Sequence, residues 1–262
     1  KGQTVFKKGH LIRSQDIGMI ASMGLCKVEV VKKIKIGLLS NGNELVEPGI
    51  KKNASQIYDS NKYMLANLMS NNSIDCTNYG ILKDSFTKIK SKLLDIKDKC
   101  DLIIISGGAS GGEQDFINRV IKNLGAVKIW KVNIKPGRPF GFGLINNKTP
   151  ILMLPGNPVA SFTTFNLFGK YLINHLIGNI NYNHIYFKVK SNFTMKKKLG
   201  REEFLRGKVF YKSGTLYVAK YKTQGAGILS SVVWANGLIR LRKDISNVKY
   251  NDMVEFISFT TF

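Results

Sequence analysis

The sequence predicts an α/β protein: a three-layer α/β/α domain built on a mostly parallel sheet over residues 33–180, then a small all-β domain over 181–262. Residues 1–32 are left as the remnant of an N-terminal domain. Two observations carry this. Between 33 and 180, short apolar runs alternate with stretches of helical periodicity, the order that builds a parallel sheet covered by helices. After about Gly178-Asn179-Ile180-Asn181 the period becomes two, as in Ile185–Lys190 and Val209–Tyr211, which is strand patterning.

Each element follows from local signals. Thr4-Val5-Phe6 reads as a short extended piece and Ser14–Gly24 as a helix with Asp16 in its first turn; together they are too little to bury a core. Ile34–Ser40 is β-rich and ends at the breaker Asn41-Gly42. A helix runs from an N-cap at Ser60 through Met69, with Met64, Leu65 and Leu68 at helical spacing. Ile74–Tyr79 is a second strand. Asp84 or Ser85 caps a helix carrying Ile89, Leu93 and Leu94. Leu102–Ile105 is continuously apolar, as a strand buried on both faces must be. A helix with Phe116, Ile117, Val120, Ile121 and Leu124 follows a glycine-rich loop. Phe140–Leu144 and Ile151–Leu154 are strands joined by the turn Asn146-Asn147-Lys148, and a last helix spans Pro158–Leu176. In the β region, Lys212-Ser213-Gly214 separates two strands as a hairpin turn.

Composition narrows the function. At 44% hydrophobic the chain is globular, and its three cysteines (Cys26, Cys76, Cys100) show neither metal spacing nor a disulfide framework, so a reducing, cytoplasmic setting is expected. The most apolar stretch, Ile151–Phe168, is broken by Pro155-Gly156-Asn157-Pro158, so no membrane span is expected. The chain begins at Lys1 rather than Met, so a further segment upstream is expected. The net charge of +23 invites a polyanion partner or a phosphorylated ligand. Its lysines, however, are scattered and no zinc spacing, helix-turn-helix or aromatic-interleaved RNA motif is present, so no nucleic-acid partner is expected.

The chemistry-bearing residues fall at predicted strand ends, where ligands of open parallel sheets bind. Ser106-Gly107-Gly108-Ala109-Ser110-Gly111-Gly112-Glu113 joins a buried strand to a helix; its glycines let backbone N–H groups approach an anion, although a tight turn without a ligand would use the same residues. Leu154-Pro155-Gly156-Asn157-Pro158 has the same logic, against simple helix punctuation. Lys131 and Lys135, even-spaced, share a face if that piece is extended, and with Arg138 would complement phosphate or other oxyanion oxygens; a solvated basic edge is the plainer account. Glu44, Asp59, Asp84 and Asp115 lie at the same ends. Carboxylates beside cations suit Mg²⁺-assisted phosphoanhydride cleavage, while Asp59 and Asp84 could equally be helix caps and Glu44 an exposed loop charge.

Taken together and in this order, Ser40-Asn-Gly-Asn-Glu-Leu45, Tyr58-Asp-Ser-Asn61, Ser106–Asp115, Lys131-x3-Lys135-Pro-Gly-Arg-Pro139 and Leu154-Pro-Gly-Asn-Pro-Val159 resemble the MoeA-type molybdopterin molybdenumtransferases, a family shared with the E domain of gephyrin. Gly200-Arg-Glu-Glu-Phe-Leu-Arg206, Gln224-Gly225 and Ala235-Asn-Gly237 are similar to that family's small β domain, so the resemblance covers nearly the whole chain. It implies Mg²⁺-dependent insertion of molybdate into adenylylated molybdopterin with release of AMP. Glu44, Asp84 and Asp115 match the family's acids, with Asp59 added as a Mg²⁺ ligand. Lys131 and Lys135 match lysines near molybdate and the pterin. Pro155 and Pro158 match the turn at the nucleotide end, with Ser106, Gly107, Gly108, Ser110, Gly156, Asn157 and Arg138 as further binding residues. Arg201, Arg206 and Ser231 match β-domain groups that reach the anion.

The resemblance also implies a homodimer in the complete protein and a molybdopterin adenylyltransferase as partner. Three departures stand out: Asn43 where the family has Asp, Ala160 where Ser is common, and a start after one and a half domains of the family's length. The alternatives are a gephyrin-like peptide-binding scaffold, a catalytically incomplete fragment and, on charge alone, a nucleic-acid binder.

Overall fold

The structure, a computed structural model, describes residues 2–71, 73–108, 116–179 and 181–260. Helix α1 (Ser14–Ser22) stands where expected; Asp16 accepts the backbone N–H of Arg13 at 2.9 Å, and the Arg13 guanidinium holds its carboxyl well below the usual range. Thr4–Phe6 forms no strand, because no neighbouring strand supplies hydrogen bonds to it.

In chain order there follow β1 (Ile34–Asn41), β2 (Leu45–Val46), β3 (Ile57–Tyr58), α2 (Asn61–Leu68), β4 (Ile74–Leu82), α3 (Phe86–Ile96), β5 (Leu102–Ser106), α4 (Phe116–Leu124), β6 (Gly125–Trp130), β7 (Ile134–Lys135), β8 (Gly141–Ile145) and β9 (Thr149–Leu154). Six of these make one sheet in the order β4-β1-β5-β9-β8-β6. The first four are mutually parallel; β8 runs against both its neighbours.

The layers follow from the period of two. Leu39, Ile103 and Ile105 face α3 and α4 in one core, while Ile36, Leu38, Leu102 and Ile104 face α2 in the other. All five residues of β5 are buried, as the continuous apolar run requires. Each fully buried Leu or Ile here contributes about 1.5–3 kcal/mol relative to exposure. Asn146 (φ 49°) and Asn147 (φ 54°) form the turn between β8 and β9, a conformation Asn tolerates.

The helix expected over Pro158–Leu176 is three pieces: α5 (Pro158–Thr164), a π turn (Phe165–Gly169) and α6 (Lys170–Leu176). Thr163, Thr164 and Asn166 donate side-chain bonds back to the carbonyls of Val159, Ala160 and Phe162, a pattern that bends helices. The register change seats the Phe165 ring in the core against Gly169.

Beyond it lie β10 (Phe187–Ser191), β11 (Met195–Lys196), β12 (Glu202–Lys212), β13 (Thr215–Lys220), α7 (Leu229–Trp234), β14 (Gly237–Leu241), β15 (Asn247–Val248) and β16 (Met253–Ser258). The order β13-β10-β16-β14-β12 closes on itself through β12–β13 pairing, giving a small barrel around Val189, Leu205, Val218, Ile239 and Phe256. Closure leaves little open edge, the two-residue β7 being the strand at its end. Ser213 and Gly214 form the expected hairpin turn. The region is not purely β, since it carries α7. It also takes in β7 from the preceding segment, with Ile134 and Lys135 paired to Glu202 and Glu203. Ile134, Leu167, Phe204 and Leu238 pack where the two sheets meet.

Candidate functional site

The carboxyl ends of β1, β5 and β9 lie side by side, with Ser40 opposite Ser106 and Ser106 opposite Leu154. The loops that leave them are drawn together. Gly107 N–H donates to Leu154 O at 3.1 Å, and the α-carbon of Gly107 lies 3.5 Å from where a Cβ on Gly156 would stand. Gly107 (φ +96°) and Gly108 (φ +68°) adopt a conformation suited to glycine, and a Cβ on Gly107 would collide with Asn41 O. Ser106, Gly107, Gly108, Pro155, Gly156, Asn157 and Pro158 therefore form one backbone-rich cradle. Ser110 and Asp115 lie outside the described residues.

On the α3 side of the cradle, Asp84 is held by Asn41 Nδ2, which donates to Oδ1, and by Asn43 N–H, which donates to Oδ2 at 3.3 Å. Asn43 Oδ1 accepts Asp84 N–H at 3.1 Å. The departure at 43 thus keeps an acceptor while omitting a second carboxylate beside Asp84. Ser85, not Asp84, caps α3 by accepting Lys88 N–H. Glu44 is exposed and folds back over Gly42.

On the α2 side, Asp59 is 2% exposed; Oδ1 accepts Lys62 N–H at 3.1 Å and so does the capping expected of Ser60. Its Oδ2 has no partner among the described residues. Lys62, itself buried, pairs with Glu47 and holds that carboxylate below its usual range, tying the β2–β3 ribbon to α2.

Asn61 was absent from the sequence-derived candidates, although it stands in the Tyr58–Asn61 motif. Its Nδ2 donates to Ser106 Oγ at 2.8 Å and to Gly156 O at 2.7 Å. The signal was available: an Asn in the first turn of a helix, directly after a short strand.

The cations divide. Lys131 does not share an extended face with Lys135: its φ is +66°, because the chain turns there between β6 and β7. Lys131 and Arg138 are exposed, on the paired segment closed by Lys131 N–H to Phe140 O and Val132 N–H to Arg138 O. Lys135 reaches instead to Glu203, at 3.5 Å, and lines a cleft of about 510 Å³ with Lys196, Lys197, Lys198 and Arg201. The three consecutive lysines were not among the expected site residues, though a basic run beside Gly200-Arg201 was visible.

Arg206 and Ser231 are brought together inside the protein rather than on an open surface. Arg206 is 0% exposed; its guanidinium donates to Ser231 Oγ at 3.0 Å, Gly225 O at 3.1 Å and Phe204 O at 3.5 Å. No carboxylate pairs with it among the described residues, and burial pushes its pKa down to about 10, leaving it charged at neutral pH. The loop it holds meets the cradle, since Ala226 O accepts Val159 N–H at 3.0 Å at the start of α5.

Among the described residues, no three His, Cys, Asp or Glu side chains gather as a multi-carboxylate metal site would require, so Glu44, Asp59 and Asp84 do not form one. A Mg²⁺ ion that takes most of its ligands from substrate phosphates and water needs only one or two carboxylates. The unpartnered buried Asp59 Oδ2 fits that role; both oxygens of Asp84 already accept hydrogen bonds. No described helix is long and apolar enough to cross a membrane.

Comparisons with known proteins agree with this architecture. Residues 37–175 match the family described as a probable molybdopterin binding domain, and 188–259 match the MoeA C-terminal region (domain IV). A molybdopterin molybdenumtransferase of Haemophilus influenzae is 33% identical over 263 residues, covering 99% of this chain and 64% of its own length. The molybdenum cofactor synthesis protein cinnamon of Drosophila melanogaster is 35% identical over 217 residues, 81% of this chain and 35% of that protein. The crystal structure of a molybdopterin biosynthesis MoeA protein from Pyrococcus horikoshii superposes with a TM-score of 0.82 at 26% identity, covering 98% of this chain and 62% of that one. The present chain thus spans somewhat under two thirds of the Haemophilus and Pyrococcus proteins. With both of its halves matched in order by family models, the chain belongs to the MoeA-type molybdopterin molybdenumtransferases.

Proposed function

We propose that this chain carries the molybdate-inserting site of its family, acting on adenylylated molybdopterin and releasing AMP. The observation that supports this best is the joining of two glycine-containing loops into one cradle at the carboxyl ends of β5 and β9. In this reading the phosphoanhydride lies against the backbone of Ser106–Gly108 and Pro155–Pro158, and Ser110 is carried as a further binding residue. Lys135 and Arg201 hold molybdate, with Lys131 and Arg138 at the entrance, while the buried Arg206 and Ser231 brace the loop that meets the cradle. Asp59 is the carboxylate best placed to hold Mg²⁺; Asp84 orders the Asn41–Asn43 turn, and Glu44 and Asp115 are carried as acids of the family's motif. Mg²⁺ bound there would offset the charge that builds on the phosphate oxygens during cleavage. Preorganised positive charge is the largest catalytic contribution expected of such a site.

The test is AMP release by this chain from adenylylated molybdopterin with Mg²⁺, with and without molybdate. Stimulation by molybdate is the expected result. Absence of both release and calorimetric binding of the adenylylated pterin would overturn the reading.

The adenylylated substrate makes a molybdopterin adenylyltransferase the natural partner, and the three unpaired cysteines suit a cytoplasmic setting. We also propose a homodimer for the complete protein. Leu11, Ile17, Met19, Leu25 and Val30 of the N-terminal segment are all exposed, more apolar surface in one stretch than a lone subunit usually leaves. Light scattering on the complete protein should give twice its chain mass; a monomer at micromolar concentration would exclude it.

A further inference from the structure

We propose that Asn61 is a positioning residue for the site, a clamp that sets the separation of the two ligand-binding loops; this rests on the function proposed above. Asn61 is 7% exposed and stands at the first position of α2, beneath the strand ends. Both of its amide hydrogens are engaged by protein, one on Ser106 Oγ at 2.8 Å and one on Gly156 O at 2.7 Å. These acceptors lie 45 and 95 residues away along the chain and belong to different strand-to-helix loops. One planar group therefore fixes the distance between the end of β5 and the Pro-Gly-Asn-Pro turn. Beyond the β5–β9 ladder, Gly107 N–H to Leu154 O is a second tie between the two loops among the described residues.

The geometry explains why the residue is Asn. A carboxylate of the same shape would set an oxygen against Gly156 O, and a hydroxyl could supply a single donor. Asn61 Oδ1 makes no hydrogen bond among the described residues, so the side chain is held by its donor end alone. Both loops present backbone to the ligand, and a shift of about 1 Å between them is enough to misalign N–H groups from an anhydride they must contact together. Asn61 touches neither the reacting atoms nor the cation cleft; it acts through the loops.

The test uses Asn61→Ala, the near-isosteric Asn61→Asp and Ser106→Ala in the present chain. Asn61→Ala and Asn61→Asp should each raise KM for adenylylated molybdopterin about tenfold, with kcat changed much less, because loop spacing governs binding of the anhydride. Ser106→Ala should do less, since the bond to Gly156 survives. Amide hydrogen exchange supplies the second reading: Gly107 should exchange at least about tenfold faster in Asn61→Ala while amides of β1 and α2 keep their protection. Unchanged KM in Asn61→Asp, or losses that only track the folded fraction, would overturn the proposal. If the unaltered chain bound no adenylylated pterin, the functional reading would fall, and unchanged Gly107 exchange would still refute the clamp independently.

Discussion

Replacing Gly107 by Ala should cost the chain about 3 kcal/mol or more of folding stability and abolish ligand binding. Two penalties act at once. The residue has φ +96°, which L side chains rarely adopt, and the new methyl would be driven into Asn41 O. That oxygen belongs to β1, whose Ser40 is paired in register with Ser106, so relief requires parting two central strands at their ends. Gly156→Ala is the control. Its nearest neighbour would be the Gly107 α-carbon at 3.5 Å, ordinary van der Waals distance, and its stability should change by no more than about 1 kcal/mol. Urea unfolding of both variants, with calorimetry against the adenylylated pterin, decides it; equal stability for the two would contradict the crowding described at Gly107.

Arg206→Met should abolish the molybdate response and destabilise the fold by about 2–3 kcal/mol. Opposing effects set that figure. Removing a buried cation that lacks a paired carboxylate relieves desolvation, which by itself favours Met. Against this, Gly225 O, Phe204 O and Ser231 Oγ lose a charged donor, and the loop joined to Val159 loosens. Orphaned buried acceptors cost more than one exchanged bond, so the second effect prevails. The guanidinium is fully buried with its nitrogens engaged by protein, so its effect on molybdate runs through the loop it holds. Titrating molybdate against AMP release should show saturation in the original chain and a flat response in Arg206→Met. An unchanged saturable response in the variant would show that the loop held by Arg206 does not shape the anion site.

What the sequence made legible was set by range. Periodicity and breakers act within a few residues, so β1, β4, β5, β9 and the helices between them were readable, as were the Asn146-Asn147 and Ser213-Gly214 turns. β6 was not, because Gly125–Trp130 follows α4 with no intervening loop and continues its apolar pattern. The π turn within Pro158–Leu176 was hidden for a related reason: a change of hydrogen-bond register leaves a helical pattern nearly intact. β7 is two residues long and owes its existence to pairing with Glu202 and Glu203, far along the chain.

The candidate site divides in the same way. Strand-end loops were legible because topology alone gathers them. The burial of Arg206 and the direction of Asn61 depend on contacts between remote segments, and no local pattern carries those. The expected common face for Lys131 and Lys135 failed on one backbone angle, at Lys131.

The pairing of β7 with β12 has a mechanical consequence. Lys135 is connected by its chain neighbours to the six-stranded sheet, but its backbone is hydrogen-bonded into the barrel and its amine faces Glu203 there. Any rocking of one half against the other would therefore carry Lys135 with the barrel, as a passenger of the body that also holds Arg201 and Arg206. The three cations would keep their spacing to one another through any such movement, so the charge they present stays a fixed property of the barrel.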